Sequence, residues 1–151
     1  MAGTHINVEM HGIDVVQDMF RQMRERSRHL DTAMKEVGEH MLESTQERFD
    51  AEKDPDGNKW APHSEVTKKR RGGGKILTDT GRLRHNSISY RVEGDTLIVG
   101  ANAVYAAIHQ LGGEAGRKSH RVMIPARPYL GFSGGDRQYA MDTIRDYIVE
   151  G

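Results

Sequence analysis

The chain has 151 residues, a length that suits one domain, and its composition shows no change that would divide it. Its 22 basic and 22 acidic residues give zero formal net charge, which excludes the overall positive field of a general nucleic-acid binder. Without cysteine it has neither disulfides nor thiolate zinc sites, and its pattern contains no signal peptide or membrane span. We predict one domain over residues 1–151 with a thin apolar core.

The N-terminal part of the sequence predicts a short strand and two amphipathic helices. Residues 6–10 alternate between apolar and polar, which is the period of a half-buried strand. Apolar residues then recur at helical spacing within residues 13–23. Asp31 is placed to cap a second helix, whose apolar face runs from Met34 to Phe49. The methionines of both helices are predicted to lie in the core, with an adaptable partner surface as the alternative.

Helical periodicity stops between Asp54 and Lys75, where we predict a long, partly mobile loop. The loop opens with a turn at residues 54–58, which lacks the final carboxylate that a calcium loop requires and is therefore interpreted as a plain turn. It continues with a basic, glycine-rich run at residues 68–75. That run is either a solvated surface, which is the favoured interpretation, or a set of phosphate contacts. The candidate phosphate contacts are Lys68, Lys69, Arg70, Arg71 and Lys75.

The second half of the sequence predicts mainly strands. Thr78 or Asp79 is placed to cap a short turn. Residues 88–92 and 97–99 flank a Glu-Gly-Asp turn, and the first of them alternate in polarity, which predicts an antiparallel hairpin. A short helix is predicted at residues 105–111, where two glycines end it.

A loop rich in glycine and basic residues is predicted next, then a strand at residues 120–124 and a C-terminal helix capped by Asp136. Helices before and after a run of antiparallel strands are typical of an α+β fold and not of alternating βαβ units. The predicted architecture is a small antiparallel sheet packed against N-terminal helices and a C-terminal helix, with the long Gly/Lys-rich loop.

One motif raises the question of catalysis. Residues 131–135 match G-x-S-x-G, but hydrolases that use this elbow place a histidine after the serine, and none follows Ser133. We therefore predict a flexible joint there, with a serine hydrolase as the rival hypothesis. His109 and His120 flank glycines but lack the spacing of metal ligands. The prediction is a protein that is not an enzyme and has no metal or cofactor.

Four blocks in order carry a resemblance to a known family. They are DPDGNKWAP (54–62), ILTDTGRL (76–83), YAAIHQLGG (105–113) and IPARPYLG (124–131). Together they resemble the virion morphogenesis, or tail completion, proteins of Mu-like phages. The resemblance implies a structural subunit made in the host cytoplasm and built into the virion, at the tail end or the head–tail junction. It implies no catalysis. The lack of a long apolar stretch in the sequence separately predicts no membrane contact.

The same resemblance implies partners. We expect a ring of identical subunits, with six as a candidate number, bound to tail-tube and neck or connector proteins and in passing contact with DNA. The candidate interface residues are aromatic anchors, an arginine fork and a histidine, for which ordinary core packing is the alternative. They are Trp60, Tyr105, His109, Arg127 and Tyr129. The rival function is a nucleic-acid-binding assembly factor that uses residues 68–75.

Overall fold

The computed structural model describes residues 8–9, 17–18, 21, 30–94 and 96–150. The helices are α1 (Leu30–Ala51), α2 (Glu65–Arg71), α3 (Ala106–Leu111) and α4 (Gly134–Glu150), with a π-helical turn at Arg82–Asn86. The strands are β1 (Val8–Glu9), β2 (Ile88–Glu93), β3 (Thr96–Ala101), β4 (Gly113–Arg117) and β5 (His120–Ile124). Helices packed on antiparallel strands confirm the predicted α+β class.

The 22-residue helix α1 supplies one layer of the core. Its apolar residues follow helical spacing, and the face that includes Met34, Met41 and Phe49 is buried, as the sequence predicted. Asp31 is not the predicted cap, because it lies inside the helix and pairs with Lys35 at 2.6 Å. The predicted first helix, with its methionines, lies mostly outside the described residues.

The three-stranded antiparallel sheet has the order β1-β3-β2 and receives α1 on one face. The predicted hairpin of β2 and β3 is confirmed, with Ile88 paired to Ala101. Gly38 allows α1 to approach the sheet closely, because a Cβ there would lie 2.4 Å from Cδ2 of Tyr90. Helix α4 packs against α1 and buries Ala140 and Ile144 in the shared core.

The predicted Gly/Lys-rich loop is not confirmed, because Glu65–Arg71 in its middle form α2. Ser64 caps this helix by accepting a hydrogen bond from the backbone N–H of Thr67 at 3.2 Å. Gly72 ends it in the left-handed region with a φ of 68°. None of the residues of α2 is buried, so apolar periodicity carried no signal for it.

The predicted loop before β5 was also wrong, because its residues form β4. Strand β4 pairs antiparallel with β5, from Gly113 opposite Ile124 to Arg117 opposite His120. The pair forms a second, two-stranded sheet. The two glycines of β4 lower its strand propensity, which explains why the sequence indicated a loop.

Helix α4 begins two residues earlier than predicted, and its cap is Ser133 and not Asp136. The Ser133 hydroxyl accepts a hydrogen bond from the backbone N–H of Asp136 at 3.0 Å. In return, the Asp136 carboxylate accepts one from the backbone N–H of Ser133 at 2.9 Å. This reciprocal pair is a capping box with Asp in the place of Glu, and it accounts for the G-x-S-x-G motif without chemistry.

Candidate partner-docking groove

A groove with a volume of about 800 Å³ lies between α2, residues 77–83, α3 and β5. It brings together three of the five predicted interface residues with two of the five predicted phosphate contacts. These residues are Tyr105, His109, Arg127, Arg70 and Arg71. Its size falls within the range of about 300 to 1,000 Å³ typical of small-ligand sites, but it is wide and open to solvent.

Exposed apolar side chains form part of the groove wall. Val66 of α2 is 75% exposed, and Val122 and Met123 of β5 are 46% and 68% exposed. Exposed apolar side chains grouped around one groove are typical of a surface that a partner covers, whereas scattered ones need no explanation.

The charges that line the groove are nearly all positive. Four arginines supply the positive charge, and they are Arg70, Arg71, Arg82 and Arg127. Three histidines also line the groove, and they are His63, His109 and His120. The lining contains one carboxylate, Asp79, which pairs with Arg71 at 3.2 Å. The groove therefore favours a partner that carries negative charge.

Arg127 connects the groove to the loop before α2. Its Nε donates to the carbonyl of Ala61 and its Nη2 to that of Pro62, both at 2.8 Å. Both of these nitrogens are therefore bound to backbone oxygens of the chain itself and are not free for a carboxylate of a partner. Burial lowers the pKa of Arg127 from its ordinary value. The two hydrogen bonds from Arg127 to residues 61 and 62 hold one wall of the groove in place.

His109 lies on α3 with its Nδ1 buried and without a hydrogen-bond partner among the described residues. Burial, with the charge of Arg127, lowers the pKa of His109. The ring is therefore neutral at pH 7. Tyr105 meets this ring edge to face with the centroids 6.0 Å apart. Both side chains remain candidates for partner contact.

The two other predicted interface aromatics lie in the core of the subunit. Trp60 is 5% exposed and donates from Nε1 to the carbonyl of Pro128 at 2.7 Å. Tyr129 is fully buried, and its hydroxyl donates to the carbonyl of Ala106 at 3.0 Å. Burial raises the pKa of Tyr129 well above its ordinary value. Both rings contact Phe49 at 5.4 Å. Their role at an interface stays a prediction.

Three of the five candidate phosphate contacts are already engaged within the subunit. Lys68 pairs with Glu65 at 2.9 Å, Arg71 pairs with Asp79, and Lys75 Nζ donates to the carbonyl of Asp50 at 2.7 Å. The other two, on the exposed surface of α2, have no ion pair among the described residues. They are Lys69 and Arg70.

A buried polar network connects helices α1 and α4. Arg48 donates to the Asp136 carboxylate and, at 3.0 Å, to the carbonyl of Tyr129. His40 Nε2 lies 2.9 Å from the other carboxylate oxygen. Burial by itself raises the pKa of Asp136, but hydrogen bonds from Ser44 and from the Ser133 backbone, together with Arg48 and His40, leave it below the ordinary value. The network joins α1 to α4.

The described residues contain no group of three or more potential ligands that could hold a metal ion. The predicted plain turn at residues 54–58 is confirmed. One Asp54 oxygen accepts from the backbone N–H groups of Asp56 at 2.9 Å and of Asn58 at 2.8 Å. None of the helices described here is long and apolar enough to cross a membrane.

The chain is a small α+β protein with an open, basic and partly apolar groove. Comparison with known protein families identifies the family of the chain. Residues 12–149 match the phage virion morphogenesis family, and the chain belongs to that family.

The curated relatives carry related names. The chain is 34% identical, over 72% of each sequence, to a protein of Escherichia phage Mu with the provisional name capsid assembly protein G. It is 30% identical to the tail completion protein S of Escherichia phage P2, over 75% of this chain and 80% of that one. It is 44% identical to the Mu-like prophage FluMu G protein 2 of Haemophilus influenzae, over 50% of this chain and only 53% of the relative. No solved structure matches the chain significantly.

Proposed function

We propose that this protein is a structural subunit that completes the phage tail and helps to join it to the head. Membership of the virion morphogenesis family is the observation that carries the proposal. The relative in phage P2 is named for tail completion. The subunit would be made in the host cytoplasm and then remain in the virion, at the tail end or the neck.

The proposed working form is a ring of identical subunits that docks on tail-tube and neck proteins. Two features support an assembled form. The core is thin for this length, at 36% hydrophobic residues, and apolar side chains remain exposed at the rim of the groove. A closed ring needs two different contact surfaces on each subunit, and the groove is one candidate for them.

We propose no enzymatic activity. The nucleophile of the rival hypothesis, Ser133, is bonded to the backbone of α4 as a cap. His40 does not bond to Ser133 but to the Asp136 carboxylate, and its ring stacks on Tyr139 with the centroids 3.8 Å apart. Labelling of Ser133 by a reactive phosphonate, abolished by Ser133→Ala, would contradict this.

The test of the ring is the mass of the purified protein across concentrations, measured by light scattering after size-exclusion chromatography, with and without tail-tube protein. The proposal predicts a discrete ring-sized species, or a complex that forms only when tail components are present. A persistent monomer that ignores tail components would contradict it.

A second candidate function is contact with DNA through α2, which is favoured by the exposed pair Lys69 and Arg70. The two cations support weak, salt-dependent binding in which each phosphate contact adds about 0.9 to the slope of log affinity against log salt. The double variant Lys69→Ala/Arg70→Ala is expected to lower that slope by up to about two. The matched control, Arg91→Ala/Arg145→Ala, removes the same charge elsewhere. An unchanged slope in both variants would contradict DNA contact by α2.

A further inference from the structure

The groove has a lining pattern that identifies which part of β5 forms its wall. His120, Val122, Met123 and Ile124 line it, whereas Arg121 and the β4 residues do not. Side chains of a strand alternate between the two faces of a sheet, so a cavity on one face would meet every second residue. His120, Val122 and Ile124 belong to one face of β5 and Met123 to the other, so the groove reaches both faces at the edge of β5 that is not paired with β4.

That edge of β5 is open. Among the described residues, β4 and β5 form a sheet of only two strands, so β5 pairs with β4 along one edge and with no strand along the other. An open edge presents unpaired backbone N–H and C=O groups, which an extended chain can pair with. An isolated two-stranded hairpin is marginally stable, and a third strand would stabilise it.

The base of the hairpin is fixed while its strands stay exposed. Gly112 has a φ of 73°, and a Cβ there would lie 2.8 Å from the backbone nitrogen of Ala126. The backbone N–H of Arg127 donates to the carbonyl of His109 at 2.7 Å. The hairpin is therefore anchored to α3 beside the groove, so its open edge is held in position before any partner binds.

The chemistry of the groove defines the segment that fits it. Its apolar rim, Val66 with Val122 and Met123, suits aliphatic side chains. Across from β5, Arg70 and Arg82 suit carboxylates, and the one carboxylate in the lining is already paired with Arg71. A segment that alternates acidic and aliphatic residues would carry its carboxylates on one face of the added strand and its aliphatic side chains on the other, so both kinds of lining side chain would have a match.

We propose that the open edge of β5 binds an extended segment of another virion protein, one that alternates acidic with aliphatic residues, and that this segment adds a third strand to the β4–β5 sheet. Backbone pairing supplies the affinity and the charged groove supplies the specificity, as in other cases of strand addition. The inference rests on the assembly role proposed above, because it names the kind of partner segment that the subunit binds.

The probe is a fluorescent synthetic peptide that alternates Glu with Val over about seven residues, enough to span the five residues of β5. Its binding to the full chain is followed by fluorescence anisotropy. Two control peptides keep the length, one with Lys in place of each Glu and one with alternate backbone nitrogens methylated. The proposal predicts that only the unmodified acidic peptide binds, because the controls lose the charge match or the strand pairing.

The variant Arg70→Glu/Arg82→Glu is expected to weaken binding of the acidic peptide by about tenfold or more. Both side chains are exposed, so the fold should persist, which circular dichroism checks. The matched control, Arg91→Glu/Arg137→Glu, makes the same change of charge at exposed positions outside the groove and outside the β4–β5 sheet, and it is expected to bind normally.

Three results would overturn the proposal. The first is that the acidic peptide does not bind at concentrations up to millimolar. The second is that the methylated peptide binds as tightly as the unmodified one. The third is that the peptide dissociates an oligomer of the chain, which would make a second copy of the chain the occupant of the groove. The assembly role is tested separately by complex formation between Arg70→Glu/Arg82→Glu and tail-tube protein. If this variant forms the complex with tail-tube protein normally while the acidic peptide does not bind the natural protein, strand addition at the groove is refuted and the assembly role is not.

Discussion

The substitution Asp136→Asn tests whether the buried network is what holds α4 to α1. Asp136 is 2% exposed and Arg48 is 6% exposed, so the pair is shielded from solvent. Asparagine keeps the size of the side chain but removes the charge opposite Arg48. Removing one partner of a buried ion pair costs about 3 to 5 kcal/mol, because the remaining charge stays buried without compensation. Arg48 retains its bond to the Tyr129 carbonyl, so we expect the lower end, about 3 kcal/mol.

The assay is urea unfolding followed by the fluorescence of Trp60, the one tryptophan of the chain and a buried one. With a slope of about 2 kcal/mol per molar urea, the midpoint should fall by about 1.5 M. The control is Asp142→Asn on the same helix, where the carboxylate is 49% exposed. Its midpoint should move by less than about 0.3 M, because exposed pairs contribute little.

Comparing the natural protein with Asp136→Asn at different pH values gives a second test. The pKa of Asp136 is lower in the folded chain than in the unfolded chain, so its contribution to stability is present above the unfolded pKa of about 3.9 and is lost as the pH falls through the folded value. The stability difference between the natural protein and Asp136→Asn should therefore shrink below about pH 4. A midpoint shift no larger than that of Asp142→Asn, or a difference independent of pH in this range, would refute the reasoning.

Three further substitutions test the packing. Gly38→Ala should destabilise the chain by about 1 to 3 kcal/mol in urea unfolding, because its Cβ would meet the Tyr90 ring, and the loss should disappear in a Tyr90→Ala background. Ser133→Ala should cost about 1 kcal/mol in the same assay through loss of the α4 cap; no change would contradict the capping box. Tyr129→Phe should cost about 1 to 2 kcal/mol, because the buried Ala106 carbonyl loses its donor; a neutral effect would show that this bond is not needed.

The sequence predicted the elements that bury one regular face. Strand β2 and helix α1 have the periodicity of a strand and a helix because one side of each packs on the core, and β3 is an apolar run that is buried on both faces. Helix α2 buries no residue and β4 contains two glycines, so neither has that pattern. The caps at Ser64 and Ser133 were the available signals, since each serine is followed three residues later by the residue it bonds.

The candidate site was predictable in part. Tyr105, His109 and Arg127 belong to blocks that carry the family resemblance, and the fold brings them to one groove. Trp60 and Tyr129 belong to the same kind of block but fill the core, because a short motif does not indicate which way a side chain points. The bond from Arg48 to Asp136 joins residues 88 positions apart, a contact that local pattern does not indicate. The open edge of β5 could not be predicted from the sequence, because the sequence did not indicate its partner strand β4.

The most direct test of the assembly role is electron microscopy of the particles that a host produces when the gene for this protein is inactivated in the phage. The account predicts that filled heads accumulate unattached to tails, and that the tails are separate or unfinished. It also predicts that supplying the gene in trans restores infectious particles. Normal, infectious virions without the protein would contradict it.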